Sequence, residues 1–585
     1  MVDKHLSAAL HLRDDCDDEA GHQFRLIEVS STLVALLTSA VHDKDPRMTL
    51  SEIYQIITTT GAPEYLDPLN TLQPLLTCDD GTARDIISVI AQYSSAKEVV
   101  MAAQEALERL ERSLEPDSEE DDDEVKGQRE DTKHNLALSQ IIVLIDTYAS
   151  AIPRITLRQK SAADTLRPLC KELGTLVGLV TSNSTRSQGL ALLSSILTFV
   201  EEVGQWTDAV DREKPDDLKA FVPTWASESA YRLKTIKKIL NDLLDHSLLA
   251  CERFIKANIA QRTLEECYPR LALRSRITSN WQEGAESMSK LLVRGFSCNH
   301  TRSNNSLQDV CDTLGLSVPS SPCSTTHLVI SAHRPPADIN SELLLSYLLP
   351  MLITSFQTNT FLDESLAVLV KALHDQEKGR DLPHDITLPL SGLLPSIASV
   401  HPDPAIRHQA FRVLSLLLSL CDPQLRFQHL VELTRDSEFP QMRVASVGLV
   451  KESLLNGLSL PRHDQNPLLG PLFLRTFGPI LFRPDPPDLF GSALTLKDFQ
   501  ETHEPGRLVE CLSLFYVLLL RDERNLTGIR DKDVIKSIDH NLLAPLRRNL
   551  AQWMDDPSIS KDLHDITGVV PLQISLERID AALAS

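Results

Sequence analysis

Glycine and aromatic side chains are scarce in this chain, with 21 Gly and 5% Phe, Trp and Tyr among 585 residues. No glycine-rich phosphate loop with a following lysine occurs, no His-Glu-x-x-His and no Gly-x-Ser-x-Gly, and each absence counts against a common enzyme class. Basic charge is short as well: the formal net charge of −23 argues against a nucleic-acid surface, which needs a dense cationic footprint to release counterions. The apolar runs, such as 512–520, stop short of the ~20 residues a membrane span needs, and the N-terminus reaches Arg13-Asp14-Asp15 before any run suited to a signal peptide. The ten cysteines show no paired spacing, which fits reduced intracellular thiols rather than a disulfide framework. These absences together predict a protein that is cytoplasmic or nuclear, without membrane, direct nucleic-acid contact or cofactor.

What the chain has in quantity is leucine at three- and four-residue spacing, the period of an amphipathic helix. The clearest stripe lies in 227–259, where Leu233, Ile236, Leu240, Leu243, Leu244, Leu248, Cys251, Phe254 and Ile255 share one face. A block also repeats: Pro404-Ala-Ile-Arg407-His-Gln-Ala410-Phe411 aligns with Pro440-Gln-Met-Arg443-Val-Ala-Ser446-Val447 at an offset of 36 residues. Such an offset is typical of stacked helix pairs, none of which can bury its apolar face alone. The expected fold is all-α, an α-solenoid of HEAT/armadillo-like hairpins, and 585 residues are too many for one compact globule.

Composition shifts divide the chain into an N-terminal helical module (1–112), an acidic disordered linker (113–134), a helical repeat module (135–294), an irregular connection (295–339) and a C-terminal HEAT-like module (340–585). The linker carries Asp117-Ser118-Glu-Glu-Asp-Asp-Asp-Glu124, a run with nothing to bury. Ser118, with Asp121 three positions on, is a possible phosphorylation site for an acidophilic kinase. In the connection, Thr326-His-Leu-Val-Ile-Ser331 suggests a short extended segment, and a short helix is expected near 307–314. Lys234, Lys237 and Lys238 on one helix, with Arg270, Arg274 and Arg276 beyond it, form the main basic exception and read as a solvated face.

Three motifs could carry chemistry, and each has a plainer structural account. His401-Pro402-Asp403 copies the tripeptide of J-domain co-chaperones, but Asp403 before Pro404 is a helix N-cap. Cys298, His300, Cys311 and Cys323 lack the close cysteine pair of a structural zinc site. Asp522, Asp531 and Asp533 around Asn525-Leu-Thr-Gly-Ile529 miss the alternating spacing of a calcium loop; a capped turn with its bend at Thr527-Gly528 is expected instead. No catalytic, metal or cofactor residue is assigned, and Arg407 and Arg443 are expected to hold the stack by pairing with a carboxylate or carbonyl next door.

The run from Leu393-Leu394-Pro395 to Arg407 with Phe411-Arg412-Val413-Leu414, the run Leu518-Leu-Leu-Arg521-Asp522-Glu-Arg-Asn525-Leu-Thr527-Gly528-Ile529, and Leu543-Ala-Pro545-Leu546 resemble the glomulin and fungal Yap-binding protein family. The likeness lies between roughly 330 and 550. It implies a helical-repeat scaffold without known catalysis. Glomulin binds the RING subunit of cullin-type ubiquitin ligases and masks the surface that recruits the conjugating enzyme, so a cullin-ligase RING subunit is one implied partner. Fungal members imply a Yap-type transcription factor of the oxidative-stress response or a kinetochore component. Beside these stands a karyopherin-like adaptor reading, in which the acidic surface engages a basic partner. The partner-binding residues are unknown at this stage.

Overall fold

The computed structural model describes residues 2–12, 19–61, 63–114, 123–156, 161–212, 223–269, 323–334, 340–376, 380–459, 466–491, 494–555 and 569–584. Among them every regular element is a helix. The all-α solenoid expected from leucine spacing is what forms, in two compact units: Met1–Ile259 with Arg274–Ile339, and Ala260–Leu273 with Asn340–Ser585.

Unit 1 contains α1 (Val2–Ala9), α2 (Glu19–His42), α3 (Leu50–Thr60), α4 (Pro68–Leu76), α5 (Gly81–Tyr93), α6 (Ala96–Leu114), α7 (Asp123–Ala151), α8 (Ala162–Thr181), α9 (Arg186–Arg212) and α10 (Pro223–Ile255). Odd helices stack on odd (α1 on α3, α3 on α5, α5 on α7, α7 on α9) and even on even (α2 on α4, α4 on α6, α6 on α8, α8 on α10). One continuous core runs from Leu6 to Leu243 as a result. Local chemistry sets the helix starts: Thr49 and Glu52 form a capping box on α3, and Asp67 caps α4 at Pro68. The stripe read from 227–259 is buried as expected at Ile236, Leu240, Leu243, Leu244, Leu248, Cys251, Phe254 and Ile255.

Two readings change here. The acidic linker expected to 134 is helical from Asp123 onward, because α7 continues into buried turns at Leu138, Ile141, Leu144, Ile145 and Tyr148 that propagate helix back into polar sequence, and acidic residues suit a helix N-terminus. Residues 115–122, with Ser118, lie outside the described residues. The stretch His134–Arg154 is also long and apolar enough to cross a membrane by length and composition, which the sequence reading overlooked; more than half of it is buried inside unit 1.

The segment expected to be extended is a helix, α12 (Thr325–His333), after α11 (Ile259–Cys267). Val329 and Ile330 favour strand locally, but α12 packs on α10 and is buried from Thr326 to Ala332. Asp245 of α10 accepts from the Thr326 amide (2.8 Å) and hydroxyl (2.6 Å), tying down the N-terminal turn.

Unit 2 contains most of α11, then α13 (Ser341–Thr358), α14 (Leu362–His374), α15 (His384–Val400), α16 (Pro404–Ser419), α17 (Pro423–Val431), α18 (Pro440–Ser459), α19 (Pro471–Leu481), α20 (Leu496–Glu501), α21 (Glu504–Arg521), α22 (Lys532–Ile538), α23 (Ala544–Asp555) and α24 (Val570–Ala584). Helix α11 is held by α14 and α16: the Ala260 amide donates to Asp363 (2.9 Å), Gln409 donates to Gln261 (3.4 Å), and Tyr268 meets His374 edge to face at 5.0 Å. The stack begins like unit 1, α13 on α15 and α14 on α16, then changes stride: α15 packs on α18, α18 on α21, and α21 on α24. The Pro404 and Pro440 blocks therefore open helices at different places, α16 against α14 and α15, α18 against α15 and α21. What repeats between them is a helix-start signature.

Candidate protein-interaction surface

Arginines hold the turns of both units by reaching carbonyls left over at helix C-termini. In unit 1, Arg154 donates to Ala91 O (2.7 Å) and Ser94 O (2.9 Å) after α5, and Arg186 to Phe254 O and Lys256 O (both 3.1 Å) after α10. In unit 2 the device follows a local code, Asp-Pro-x-x-Arg. Asp403 caps α16 by accepting from Ala405 N (2.8 Å), while Arg407 reaches back to His401 O (2.6 Å) and Pro402 O (3.1 Å). Asp422 caps α17 by accepting from Gln424 N (3.0 Å) and Leu425 N (3.2 Å), while Arg426 reaches Ser419 O (2.8 Å) and Cys421 O (2.7 Å). The role of Arg426 was visible only as the second copy of this pattern, 19 residues on. Arg443 instead pairs with the Asp485 carboxylate.

A buried ion pair supports that same loop. Arg507 and Glu504 form it on one turn of α21, and Arg507 also donates to Ile480 O (2.8 Å) and Arg483 O (2.7 Å). Burial alone would lower the Arg507 pKa, but hydrogen bonding to Glu504 and neighbouring charges raise it above the ordinary value. Glu504 in turn accepts from the Asp485 amide (3.1 Å), next to the cis Asp485-Pro486 bond. The loop after α21 is equally determined. Asp522, fully buried, accepts from Leu526 N (2.8 Å), Thr527 N (2.9 Å) and Thr527 Oγ1 (2.7 Å). Asn525 and Gly528 take positive φ (51° and 79°), so the glycine is needed there. The Asp522 carboxylate is thus spent on the turn, and no calcium-type arrangement arises.

Two helices of unit 2, α13 and α15, carry long stretches without charge. From Leu343 to Thr358 on α13, and from Ile386 to Val400 on α15, neither helix has an Asp, Glu, Lys or Arg. The outward positions follow helical spacing: Leu343, Ser346, Pro350 and Thr354 on α13, and Leu388, Gly392, Ser396 and Val400 on α15. The helices pack together, and Arg380 before α15 bonds Glu342 at the start of α13 (2.8 Å), which brings their N-terminal ends to one side. Leu343, Leu388 and Val400 are 66%, 57% and 63% exposed. In a chain with 24% charged residues, this is a face suited to apolar contact.

Catalytic geometry is weaker. Ser391 Oγ and His429 Nε2 are 3.0 Å apart, and His429 Nδ1 is 3.3 Å from Glu432, in the order of a nucleophile, base and orienting carboxylate. Ser391 is buried between helices and its hydroxyl is also bonded to Leu388 O (3.1 Å), so the array reads as a polar clasp between α15 and α17. Burial pushes the thiols of Cys170, Cys251 and Cys511 up to about 12 and that of Cys421 up to about 11, which leaves them protonated and unreactive at neutral pH. Among the described residues no group of three or more His, Cys, Asp and Glu is placed to hold a metal. Cys298, His300 and Cys311, like Arg270, Arg274, Arg276 and the helix expected at 307–314, lie outside the described residues. Asp403, from the His401-Pro402-Asp403 tripeptide, is a cap, as expected.

Among solved structures, one similar chain is a circular tandem repeat protein with novel repeat topology and enhanced subunit contact surfaces, at 11% identity over 90% of this chain and 98% of that one, with a TM-score of 0.19. No curated protein matches. Residues 341–566 match the family described as "Uncharacterised protein family, YAP/Alf4/glomulin". That match falls on unit 2, where α15, α16 and the loop after α21 carry the blocks quoted above, and it bears out the resemblance to the glomulin and Yap-binding protein family.

Proposed function

We propose that the chain is a non-enzymatic helical scaffold, acting in the cytoplasm or nucleus, that binds a protein through unit 2. By family resemblance it either masks the RING subunit of a cullin-type ubiquitin ligase or supports a Yap-type oxidative-stress response. The observation that carries this reading is the exposed, uncharged face of α13 and α15 inside the region the family match covers. Such a face binds through a few buried anchors within a wider contact, and Leu343, Leu388 and Val400 are the anchors on offer.

The test is affinity purification of the full chain, with and without peroxide, beside a Leu388→Glu/Val400→Glu variant, read by mass spectrometry. The expected result is recovery of a RING subunit, a Yap-type factor or a kinetochore component, lost in the variant while its thermal melt is unchanged. Recovery of none of the three, or equal recovery by the variant, would sink the proposal.

A further inference from the structure

Unit 1 carries a second surface of opposite character, between α8 and α10. The two helices run parallel: Arg167 and Lys238 line one end, a Cβ on Gly174 would lie 3.9 Å from both Leu243 and His246 midway, and Arg253 donates to Thr181 O at the far end. The groove between them is open to solvent and has a volume of about 530 Å³, within the range of specific binding sites. Its floor includes the buried Cys170, Ile239 and Leu243, and its rim the exposed Arg167, Lys171 and Lys238. None of these three cations has an ion-pair partner among the described residues, and Asp242 is the one carboxylate in the lining. One turn past the cavity, Gly178 has open space around it, and Leu249, three residues beyond His246, is 50% exposed.

We infer that this groove binds an acidic, partly apolar segment of a partner protein. Carboxylates would lie at the Arg167, Lys171 and Lys238 end, with an apolar side chain toward Leu249. Charge complementarity selects that occupant. In a chain of net charge −23, this groove sets three cations over an apolar floor, so an acidic, partly apolar segment gains from both here and is disfavoured elsewhere on the molecule, whereas a basic one is repelled at the rim. Sequence alone could not show this, because Lys171 and Lys238 are 67 positions apart and only the stacking of α8 on α10 brings them together.

The probe is a fluorescent synthetic peptide, helix-forming, with glutamates toward one end and leucines toward the other, and its counterpart with lysine for glutamate. Both are titrated into the full chain and read by anisotropy. The acidic peptide is expected to bind, to weaken as salt is raised, and to lose about tenfold or more in affinity, about 1.4 kcal/mol, in a Lys171→Glu/Lys238→Glu variant. Gly174→Leu gives an independent check: the added Cβ meets only ordinary contacts at 3.9 Å, so the helix is kept, verified by circular dichroism, while the groove is filled and binding falls. Equal binding of the two peptides, or undiminished binding to Gly174→Leu, would overturn the inference. A third variant carries amides at Glu119, Glu120, Asp121, Asp122, Asp123 and Glu124. Unchanged binding supports a partner in trans; much tighter binding means the chain's own acidic run competes for the groove, and overturns it.

Discussion

Among the described helices, unit 1 stacks each on the second one along, whereas unit 2 begins that way and then stacks α15 on α18, α18 on α21 and α21 on α24. The difference shows in what holds each together. Unit 1 uses long helices, up to 33 residues in α10, and close apolar approach. Where α9 meets α10, a Cβ on Gly189 would lie 2.1 Å from the Phe254 ring. Unit 2 fits extra short helices between its stacked ones, so more chain lies in turns. Caps and carbonyl-seeking arginines serve both units, but in unit 2 they follow the local Asp-Pro-x-x-Arg code and are joined by the buried Glu504–Arg507 ion pair. A longer stride between stacked helices shifts the burden from apolar packing to polar specification of the turns.

The contrast can be broken most sharply at Arg507. Arg507→Ala leaves Glu504 buried without its partner and is expected to cost about 3–5 kcal/mol. Hydrogen exchange should show the loss in unit 2 with little change in unit 1; equal loosening of both would mean they do not differ as described. The reciprocal test is Gly189→Ala, which forces α9 and α10 apart at Phe254 for about 1–3 kcal/mol, read as faster exchange confined to unit 1. Arg426→Met should be milder, about 1 kcal/mol, because the carbonyls of Ser419 and Cys421 lose one donor each; exchange at the end of α16 and the start of α17 reports it.

The smallest effect is a pH dependence in unit 1. Burial holds His327 down at about 4, below its usual 6.5, so the folded state disfavours the charged ring. Its contribution is present in full above pH 6.5 and is lost as the pH falls toward 4. Asp245, whose carboxyl burial raises while hydrogen bonds from Thr326 and Ser324 oppose the shift, acts in the opposite sense. The expected outcome is a falling protection factor in α12, taken as exchange relative to its intrinsic rate at each pH, as pH drops through this window, flattened in His327→Gln, where glutamine can still accept from the Ser324 amide as His327 Nδ1 does (3.1 Å). An unchanged profile in that variant would remove His327 from the account.

What was legible in the sequence was what depends on near neighbours. Asp403-Pro404 and Asp422-Pro423 announce their helices because cap and first turn are adjacent in the chain, and the bend at Asn525 to Gly528 is written in residues that tolerate positive φ. The stripe from Ile236 to Ile255 follows from spacing alone. What was hidden depends on distant partners. Nothing within Thr325–His333 reveals that Asp245 will hold its first turn, so its β-branched residues suggested an extended segment. The α13 and α15 face was equally invisible as a surface, since an uncharged helix in sequence looks like core. The Pro404 and Pro440 match was real as a pair of helix starts, but which helix each packs on is decided by the turns between them.

Helix α11 has a consequence for the order of synthesis. Its buried Leu264 and Ala260 belong with α14 and α16, and Gln261 meets Gln409 at 148 residues' remove. At about 5–20 residues per second, a ribosome delivers that partner roughly 7–30 s after α11 itself. In the interval the chain returns to complete unit 1 with α12. The emerging protein thus carries the buried side of this short amphipathic helix unmatched until α14 and α16 have been made.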